Sequence, residues 1–576
     1  MIKRLWNLLG KNKKLLVIAT ILVILEIIFD LLIPVFMSDI IDEGIKGNKG
    51  VSYVLNLGIR MVLLATIAMI CGCVSGILSS KASSQLSRAM RDEMFHKIQD
   101  YSFANIDKFS TPSLLTRLTR DCFEVRMAFI QASRIFIRGP VMLILTMFLA
   151  IRMSPSLTIV LLCAIPVLAI VFTLVFKNAH PIFIVMMEKF DVLNANIQED
   201  LIGIRVVKTF VRDEYEIERF NRSATDVRDT QARAERVLSF NRLGMELTIY
   251  SCMIAVAWFG GRLMITEELT TGEFTRFMSY INQIMMQLLM LNMAIVQLVV
   301  SQTSSERIFE VIDEKIDITD ENADPDNKVL DGSIDFDHVD FSYVKDSDNL
   351  TLEDIDLHIA SGEVVGIIGS TGVGKSALVQ LIPRLYDVKE GSVKVGGIDV
   401  RDYKIWELRE SVAMVLQKNV LFAGTIMENL RWGNEDATDE EVYEACRAAS
   451  AHDFILSFPD GYDTFLGQGG VNLSGGQKQR VCIARALLKK PKIMILDDST
   501  SAVDTATDAH IRKALKETLS GMTTIIIAQR IASVMEADKI IVMENGRILD
   551  MGNHAELMET SSIYRELYES QQKGVE

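Results

Sequence analysis

Six long apolar stretches in the first half of the chain constrain its fold more than any other feature. A helix that crosses a bilayer needs about 20 predominantly apolar residues. Each of these stretches reaches that length, and polar segments separate them. The sequence therefore predicts six transmembrane helices, approximately at residues 15–37, 54–79, 133–153, 156–177, 246–267 and 276–303.

The basic residues are distributed unevenly between the loops. The polar segments after the second and fourth predicted spans are long and rich in Lys and Arg, and apolar residues recur in them every three or four positions. Such a period predicts helical extensions of the spans. The other connections are short and carry few basic residues. The positive-inside rule therefore places both long loops and both termini in the cytoplasm. With no organelle-targeting segment visible, we expect a bacterial plasma membrane.

The composition changes after the sixth predicted span. Gly-rich loops, dense acidic residues and short strand-like runs replace the apolar stretches. We expect a transmembrane domain at 1–318, a linker at 319–331 and a soluble domain at 332–576. The formal net charge is −15, whereas a nucleic-acid-binding face needs clustered basic residues. Nucleic acid is therefore not an expected partner.

A glycine-rich loop follows the strand-like run Val364–Ile368 and precedes a helix-like segment from Ala377 to Leu385. This is the P-loop pattern in the strand–loop–helix context that it requires. Its glycines let successive backbone N–H groups face phosphate oxygens. Lys375 is expected to reach the β- and γ-phosphates, and the Ser376 hydroxyl to bind Mg²⁺. The loop comprises Gly369, Ser370, Thr371, Gly372, Val373, Gly374, Lys375 and Ser376.

A second apolar strand-like run, Ile493–Leu496, ends in Asp497 and Asp498. An acid at the end of a buried strand beside a P-loop orients Mg²⁺ and its waters. We assign this role to Asp497. ATP and Mg²⁺ are thus the predicted ligands.

The run Leu473–Gln477, which reads LSGGQ, lies between these two motifs. With it, the order of motifs resembles the ATP-binding-cassette (ABC) transporters, and the six spans resemble their exporter branch. The resemblance implies an all-α six-helix transmembrane domain followed by an α/β P-loop nucleotide-binding domain.

The resemblance also implies roles for individual residues. Tyr343 would contact adenine, and Gln417 would contact Mg²⁺ and sense the membrane domain. Asp504 would lie in the loop that crosses between two nucleotide sites. Segment 107–118 resembles the first coupling region of the membrane half, and segment 204–220 resembles the approach to the second coupling helix. The signature residues that would contact ATP bound to the opposite subunit are Ser474, Gly475, Gly476 and Gln477.

Several positions depart from the family pattern. Asp498 replaces the usual Glu that polarises the attacking water, and Gln529 replaces the usual His of the switch loop. Ala377 and Gln468 replace a hydroxyl residue and a Glu. These departures imply the degenerate half of a heterodimer, with hydrolysis mainly at a site whose partner chain carries the Glu and the His. The alternative is neutral drift in an active homodimer.

Glu26 and Asp30 interrupt the first predicted span and share one face of it, four residues apart. Charge inside a membrane is costly and often functional. One interpretation is a structural ion pair between Asp30 and Arg60, which lies near the start of the second span. The other is a site for cationic substrates.

The sixth predicted span is rich in methionine, including Met286, Met290 and Met293. Flexible thioethers suit a wall that accommodates varied ligands, but ordinary helix packing explains the same residues. The favoured function is ATP-driven export of amphipathic drugs or lipids, with membrane lipid around the chain. A peptide exporter and a non-pumping ATP-gated channel or regulatory subunit remain open.

Overall fold

The computed structural model describes residues 2–344, 349–497 and 521–573; within three of the longest helices, the environment of some side chains is not described. The chain divides into two compact units. Unit 1 comprises Met1–Lys97 and Pro112–Asp313, and unit 2 comprises Ile98–Thr111 and Glu314–Glu576.

The part of the chain up to residue 313 is helical. Two short π-helical segments, Ile40–Lys46 and Arg117–Asp121, interrupt the α-helices. The α-helices are α1 (Ile2–Leu8), α2 (Lys13–Asp39), α3 (Val51–Gln99), α4 (Phe103–Phe109), α5 (Thr111–Thr116), α6 (Cys122–Met153), α7 (Pro155–Thr209), α8 (Asp213–Ile265) and α9 (Thr271–Asp313).

Five of the six predicted spans each lie within one of these helices, and the fifth span, 246–267, extends two residues beyond the end of α8. Helix α3 continues to Gln99, α7 continues to Thr209 and α8 begins at Asp213, so the polar loops extend the spans as helices. Within the described residues, four segments are long and apolar enough to cross a membrane: Gly10–Lys46, Val51–Gln99, Thr111–Met153 and Glu246–Ile265. The fourth and sixth predicted spans lie in α7 and α9, where several side chains fall outside the described residues; the described apolar part of α7 is Pro155–Val167.

Helix α2 packs through one apolar stripe. Val23, Ile27 and Leu31 recur every four residues and are buried with Met142 of α6 and Tyr280 of α9. The Tyr280 hydroxyl donates a hydrogen bond to the Leu31 carbonyl at 3.2 Å. This packing fixes which face of α2 turns toward α6 and α9.

The remainder of unit 2 contains two main sheets. The strands are β1 (Ile334–Phe341), β2 (Leu352–Ile359), β3 (Val364–Gly369), β4 (Glu390–Val395), β5 (Ile398–Asp399), β6 (Val412–Val415), β7 (Gly424–Thr425), β8 (Phe465–Leu466), β9 (Ile493–Asp497), β10 (Thr523–Ile527), β11 (Lys539–Glu544) and β12 (Arg547–Gly552). The helices are α10 (Lys375–Leu381), α11 (Ile405–Ser411), α12 (Ile426–Arg431), α13 (Asp439–Ala448), α14 (His452–Leu456), α15 (Gly475–Leu488), α16 (His554–Thr560) and α17 (Ser562–Lys573).

The six-stranded sheet positions the chemistry. Its order is β12-β11-β3-β10-β9-β6, parallel except for the edge strand β12. Every residue of β9 and β10 is buried, as expected for parallel strands covered on both faces. The carboxyl ends of β3, β6, β9 and β10 therefore meet at one edge. The second sheet, β2-β1-β4-β5, is antiparallel.

The helix after the P-loop is shorter than predicted. The sequence pattern predicts a helix from Ala377 to Leu385, whereas α10 ends at Leu381. Pro383 explains the difference, because proline has no backbone N–H to continue the helical hydrogen bonds and its ring clashes with the preceding turn.

Candidate nucleotide site

A cavity of about 220 Å³ opens at the carboxyl edge of the six-stranded sheet. Loops that follow β1, β3, β6 and β10 converge on it, together with the last residue of β9. Most of its walls are residues that the sequence motifs single out. The lining residues are Tyr343, Thr351, Thr371, Gly372, Gly374, Lys375, Ser376, Ala377, Gln417, Asp497, Ile527 and Gln529.

Glycine is required in the P-loop for two different reasons. Gly372 has φ +87° and Gly374 has φ +96°, a left-handed conformation that side-chain-bearing residues rarely adopt. A Cβ at Gly374 would also lie 2.8 Å from the Leu352 side chain and 2.9 Å from the Thr351 carbonyl oxygen. The loop is thus both twisted and tightly packed where α10 begins.

The Lys375 ammonium group lies within its own loop. It donates hydrogen bonds to the carbonyl oxygens of Gly369 and Ser370, both at 2.8 Å. These contacts hold a positive charge inside the cavity. The oxygens of a bound phosphate would be stronger acceptors for the Lys375 ammonium group than these carbonyl oxygens. Hydrogen bonds in which the acceptor is also ionised are stronger than those to neutral acceptors.

The cavity contains oxygen donors suited to Mg²⁺. A hydroxyl from Ser376, an amide from Gln417 and a carboxylate from Asp497 all line it, and Asp497 is buried. Among the described residues there is no group of three or more His, Cys, Asp or Glu that could hold a metal. A donor set with one carboxylate fits Mg²⁺, which takes most of its ligands from phosphates and water.

Tyr343 forms an aromatic wall of the cavity. Its hydroxyl donates to Gln380 at 3.2 Å, and its ring packs edge-on against Phe341 with the centroids 5.0 Å apart. Burial and the nearby carboxylates of Asp107 and Asp497 raise the pKa of its phenol, so the ring stays neutral. The side chain is nevertheless 42% exposed, which leaves a surface on which a base can stack.

Gln529 brings a neutral amide to the cavity wall. Helix α17 holds its backbone: Gln571 donates to the Gln529 carbonyl at 2.8 Å and accepts from Ile531 N–H at 2.9 Å. The sequence contained no signal for this anchor. Asp498 and Asp504 lie outside the described residues.

The LSGGQ run forms the N-terminus of α15. Ser474 is the N-cap: its hydroxyl accepts from Gln477 N–H at 3.3 Å, while the Gln477 side chain accepts from Ser474 N–H at 2.9 Å. Ser474 and Gly475 are exposed, and Gly476 is half-buried. None of these described residues lines the cavity of their own chain.

In unit 1, the two acids of α2 share one partner. The Arg138 guanidinium on α6 donates to Asp30 at 2.8 Å and also binds Glu26. The predicted partner of Asp30, Arg60, was therefore wrong. Arg138 lies four residues before Met142, on the part of α6 that packs against α2. Its charge inside the predicted span 133–153 is a sequence signal for such a partner.

The Glu26 side chain is less exposed than that of Asp30. Its carboxylate carbon lies 3.0 Å from where a Cβ of Gly72 would stand, and its second oxygen is buried without a hydrogen-bond partner in the described structure. On α9, the side chains of Met286 and Met290 are exposed. The side chain of Met293 falls outside the described residues.

Two cavity residues carried no motif signal. Thr351 precedes β2 and Ile527 ends β10. Both are common residue types in positions that only the folded sheet defines. Ala377, the replacement for a hydroxyl residue, is buried in the core while it also lines the cavity.

A mainly helical membrane domain followed by a P-loop domain of this topology defines an ATP-dependent membrane transporter. Residues 16–288 match the family model for the ABC transporter transmembrane region, and residues 352–501 match the ABC transporter model. The chain is 34% identical to the uncharacterized ABC transporter ATP-binding protein YfiB of Bacillus subtilis (strain 168), with 96% of each chain covered.

Two other proteins extend the comparison. The putative multidrug export ATP-binding/permease protein YgaD of the same organism is 31% identical, over 98% of each chain. A solved structure of a bacterial Atm1-family ABC exporter with ATP bound shares 25% identity, with a TM-score of 0.83 over 98% of this chain and 99% of that one. The chain belongs to the ABC transporter family and has the fold of its exporters. This membership implies that the P-loop domain binds and hydrolyses ATP, typically with Mg²⁺.

Proposed function

We propose that this chain is the degenerate half of a heterodimeric exporter in a bacterial plasma membrane, with both termini in the cytoplasm. The observation that carries the proposal is the position of Gln529 on the cavity wall that Lys375 and Asp497 also line. An amide can hydrogen-bond a phosphate oxygen, but it can neither carry a positive charge nor shuttle a proton. Where a histidine would assist hydrolysis, Gln529 supports binding alone.

Asp498 supports the same conclusion from the sequence. Its carboxylate is one methylene shorter than that of glutamate and stands directly after Asp497. A misplacement of about 1 Å in a catalytic group costs on the order of 100-fold in rate. We therefore expect this site to hold ATP and to hydrolyse it slowly.

The signature run supports a partner. Ser474 and Gly475 are exposed at the start of α15, and they lie outside their own chain's cavity. In the proposed complex they complete a hydrolytic site on a second half-transporter that carries the Glu and the His. Asp504 would lie between the two sites.

Each of the two sites would then use a different set of residues. In this chain, the P-loop, Ser376, Gln417 and Asp497 would hold nucleotide and Mg²⁺ and keep the paired domains closed. Hydrolysis in the partner's site would open them. The coupling regions would transmit that cycle to the helices.

For the substrate we propose amphipathic drugs or lipids. Glu26 and Asp30 carry two negative charges against the one positive charge of Arg138. A cationic head group would offset this excess charge. The exposed thioethers of Met286 and Met290 would contact the apolar part of such a substrate. The name of YgaD as a putative multidrug export protein agrees with this substrate class.

The test of the heterodimer is ATPase activity of the full chain in lipid nanodiscs, alone and with its candidate partner. We expect negligible activity alone, activity in the complex, and loss of that activity when the partner's Walker B glutamate becomes glutamine. In that inactivated complex, Asp498→Glu with Gln529→His in this chain should raise turnover by about 100-fold.

Robust activity of the chain alone, abolished by Lys375→Ala, would establish a working homodimer and contradict the proposal. The substrate class is tested separately, by ATP-dependent uptake of a lipophilic cation and of a neutral analogue into inverted vesicles. A complex that hydrolyses ATP without moving either compound would instead support a channel or regulatory role.

A further inference from the structure

The segment Ile98–Thr111 is part of the same compact unit as the nucleotide-binding sheet. Its helix, α4, begins with a capping box between Ser102 and Asn105. The Asn105 amide donates to the Lys315 carbonyl at 3.0 Å, and Lys108 forms an ion pair with Glu314 at 2.8 Å. These bonds hold α4 in place within unit 2.

Tyr386 connects α4 with the nucleotide cavity. Its hydroxyl donates to the Asp107 carboxylate at 2.7 Å, and its ring centroid lies 6.0 Å from that of Phe103. On the other side, its ring packs edge-on against Tyr343, with the centroids 5.1 Å apart and the planes at 85°. A single buried side chain therefore touches both α4 and the aromatic wall of the cavity.

Tyr343 is held between two contacts. Gln380, on the helix that the P-loop begins, binds its hydroxyl, and Tyr386 packs against its ring. These two contacts fix the orientation of the Tyr343 ring, on which the adenine of a bound nucleotide would stack. A displacement of Asp107 would move Tyr386 and, with it, the support of Tyr343.

We propose that Tyr386 is a positioning residue that couples the Ile98–Thr111 segment to adenine binding through the Asp107–Tyr386–Tyr343 contacts. Coupling between two sites is reciprocal. Nucleotide in the cavity therefore steadies α4, and the position of α4 changes the affinity for nucleotide. Residues 98 and 99 are the last two residues of α3, so nucleotide binding would act on the end of that helix. The coupling rests on the proposed ATP site.

Burial and the bond to Asp107 raise the pKa of Tyr386 far above its usual value, so its hydroxyl remains a donor throughout the physiological range. Tyr386→Phe removes the bond and keeps the ring. Tyr403→Phe is the matched control: Tyr403 is also buried, and its hydroxyl donates to the Val395 carbonyl at 2.8 Å, but it does not line the cavity.

The first measurement is competition by ATP against photolabelling with 8-azido-ATP, using the complex in nanodiscs and resolving the labelled chain on a gel. Loss of one hydrogen bond should weaken ATP competition by about 2- to 10-fold in Tyr386→Phe. Asp107→Ala should produce a similar loss, and the double variant little more, because both changes remove the same bond. Tyr403→Phe should leave ATP competition unchanged.

The second measurement is hydrogen exchange of the peptide covering residues 98–111, with and without ATP. ATP should slow exchange in the wild type and in Tyr403→Phe, but not in Tyr386→Phe. A purely structural role would raise exchange equally in both states. Additive losses, an equal effect of Tyr403→Phe, or an unchanged ATP response in Tyr386→Phe would overturn the coupling. Failure of the wild type to be labelled would instead overturn ATP binding itself.

Discussion

The Asp42 carboxylate accepts a hydrogen bond from the backbone N–H of Gly272 at 2.8 Å and caps the start of α9 from the π-helical segment that follows α2. The Thr270 hydroxyl donates to its other oxygen. The first N–H groups of a helix have no partner within the helix. Thr270 and Glu273 cap the start of α9 locally, and Asp42 adds a cap from a distant part of the chain.

Asp42→Ala should therefore destabilise the membrane unit by about 1 kcal/mol, the usual cost of losing a helix cap. Asp42→Asn should retain most of the stability, since its amide oxygen still accepts. The measurement is the thermal inactivation temperature in nanodiscs. Equal temperatures for the alanine and asparagine variants would show that the cap contributes nothing.

Arg138 offers a sharper test of charge inside the membrane unit. Arg138→Gln leaves Glu26 and Asp30 without their cation. The cluster is partly buried, so the loss should stay below about 3–5 kcal/mol, the cost of breaking a fully buried pair. The triple variant with Glu26→Gln and Asp30→Asn removes every charge of the cluster and should recover most of the loss. If the triple variant is no more stable than Arg138→Gln, the contacts rather than the charges hold the helices together.

A comparison of Gly374 with Gly372 distinguishes the cost of backbone strain from the cost of steric contact in the P-loop. Both have positive φ, but a Cβ at Gly372 meets nothing within 4 Å, whereas a Cβ at Gly374 meets Leu352 and Thr351. Each alanine variant should lose about 1–2 kcal/mol from strain. Gly374→Ala should lose more because of the close contacts. Melting temperatures without nucleotide measure this, and equal losses would contradict the packing argument.

The helical and P-loop elements of this structure follow from local sequence signals. The apolar spans and the P-loop are signals contained within about 20 neighbouring residues, and the structure places the P-loop, Gln417, Asp497, Tyr343 and Gln529 around one cavity. Their convergence follows from the parallel sheet, which gathers the carboxyl ends of strands far apart in the chain.

Partners set by tertiary packing could not be predicted in this way. The choice of Arg138 over Arg60 depends on which face of α2 packs against α6, and that choice is made by the stripe of Val23 and Ile27. Likewise, Tyr386 follows no motif, and its link to Asp107 joins residues 279 positions apart.

His338 gives the nucleotide-binding unit a pH-dependent contact. It bonds Asp354 at 2.8 Å, and this carboxylate raises the pKa of the imidazole above 6.5. The stabilisation is fully present below the unfolded pKa of 6.5 and is lost as pH rises through the raised pKa. His338 has φ +46°, so His338→Asn is the suitable variant, because asparagine tolerates this conformation.

Between pH 6 and pH 8.5, the melting temperature of the wild type should therefore fall relative to that of His338→Asn. The double variant with Asp354→Asn should show the same reduced slope as the single one. Parallel curves for wild type and His338→Asn would assign the pH dependence to other groups.

The signature run is expected to act on the nucleotide site of the partner and not on that of its own chain. Ser474 and Thr438 are both N-caps with complete capping boxes, on α15 and α13. Their alanine variants should each lose about 1 kcal/mol of stability. Only Ser474→Ala should lower ATP turnover of the complex, by about tenfold or more, because only Ser474 would contact the transferred phosphate in the partner's site. The corresponding serine substitution in the partner should matter far less, since it would face the degenerate site. Equal effects of the two serine substitutions would mean that both sites hydrolyse ATP, and the asymmetry inferred from Asp498 and Gln529 would be wrong.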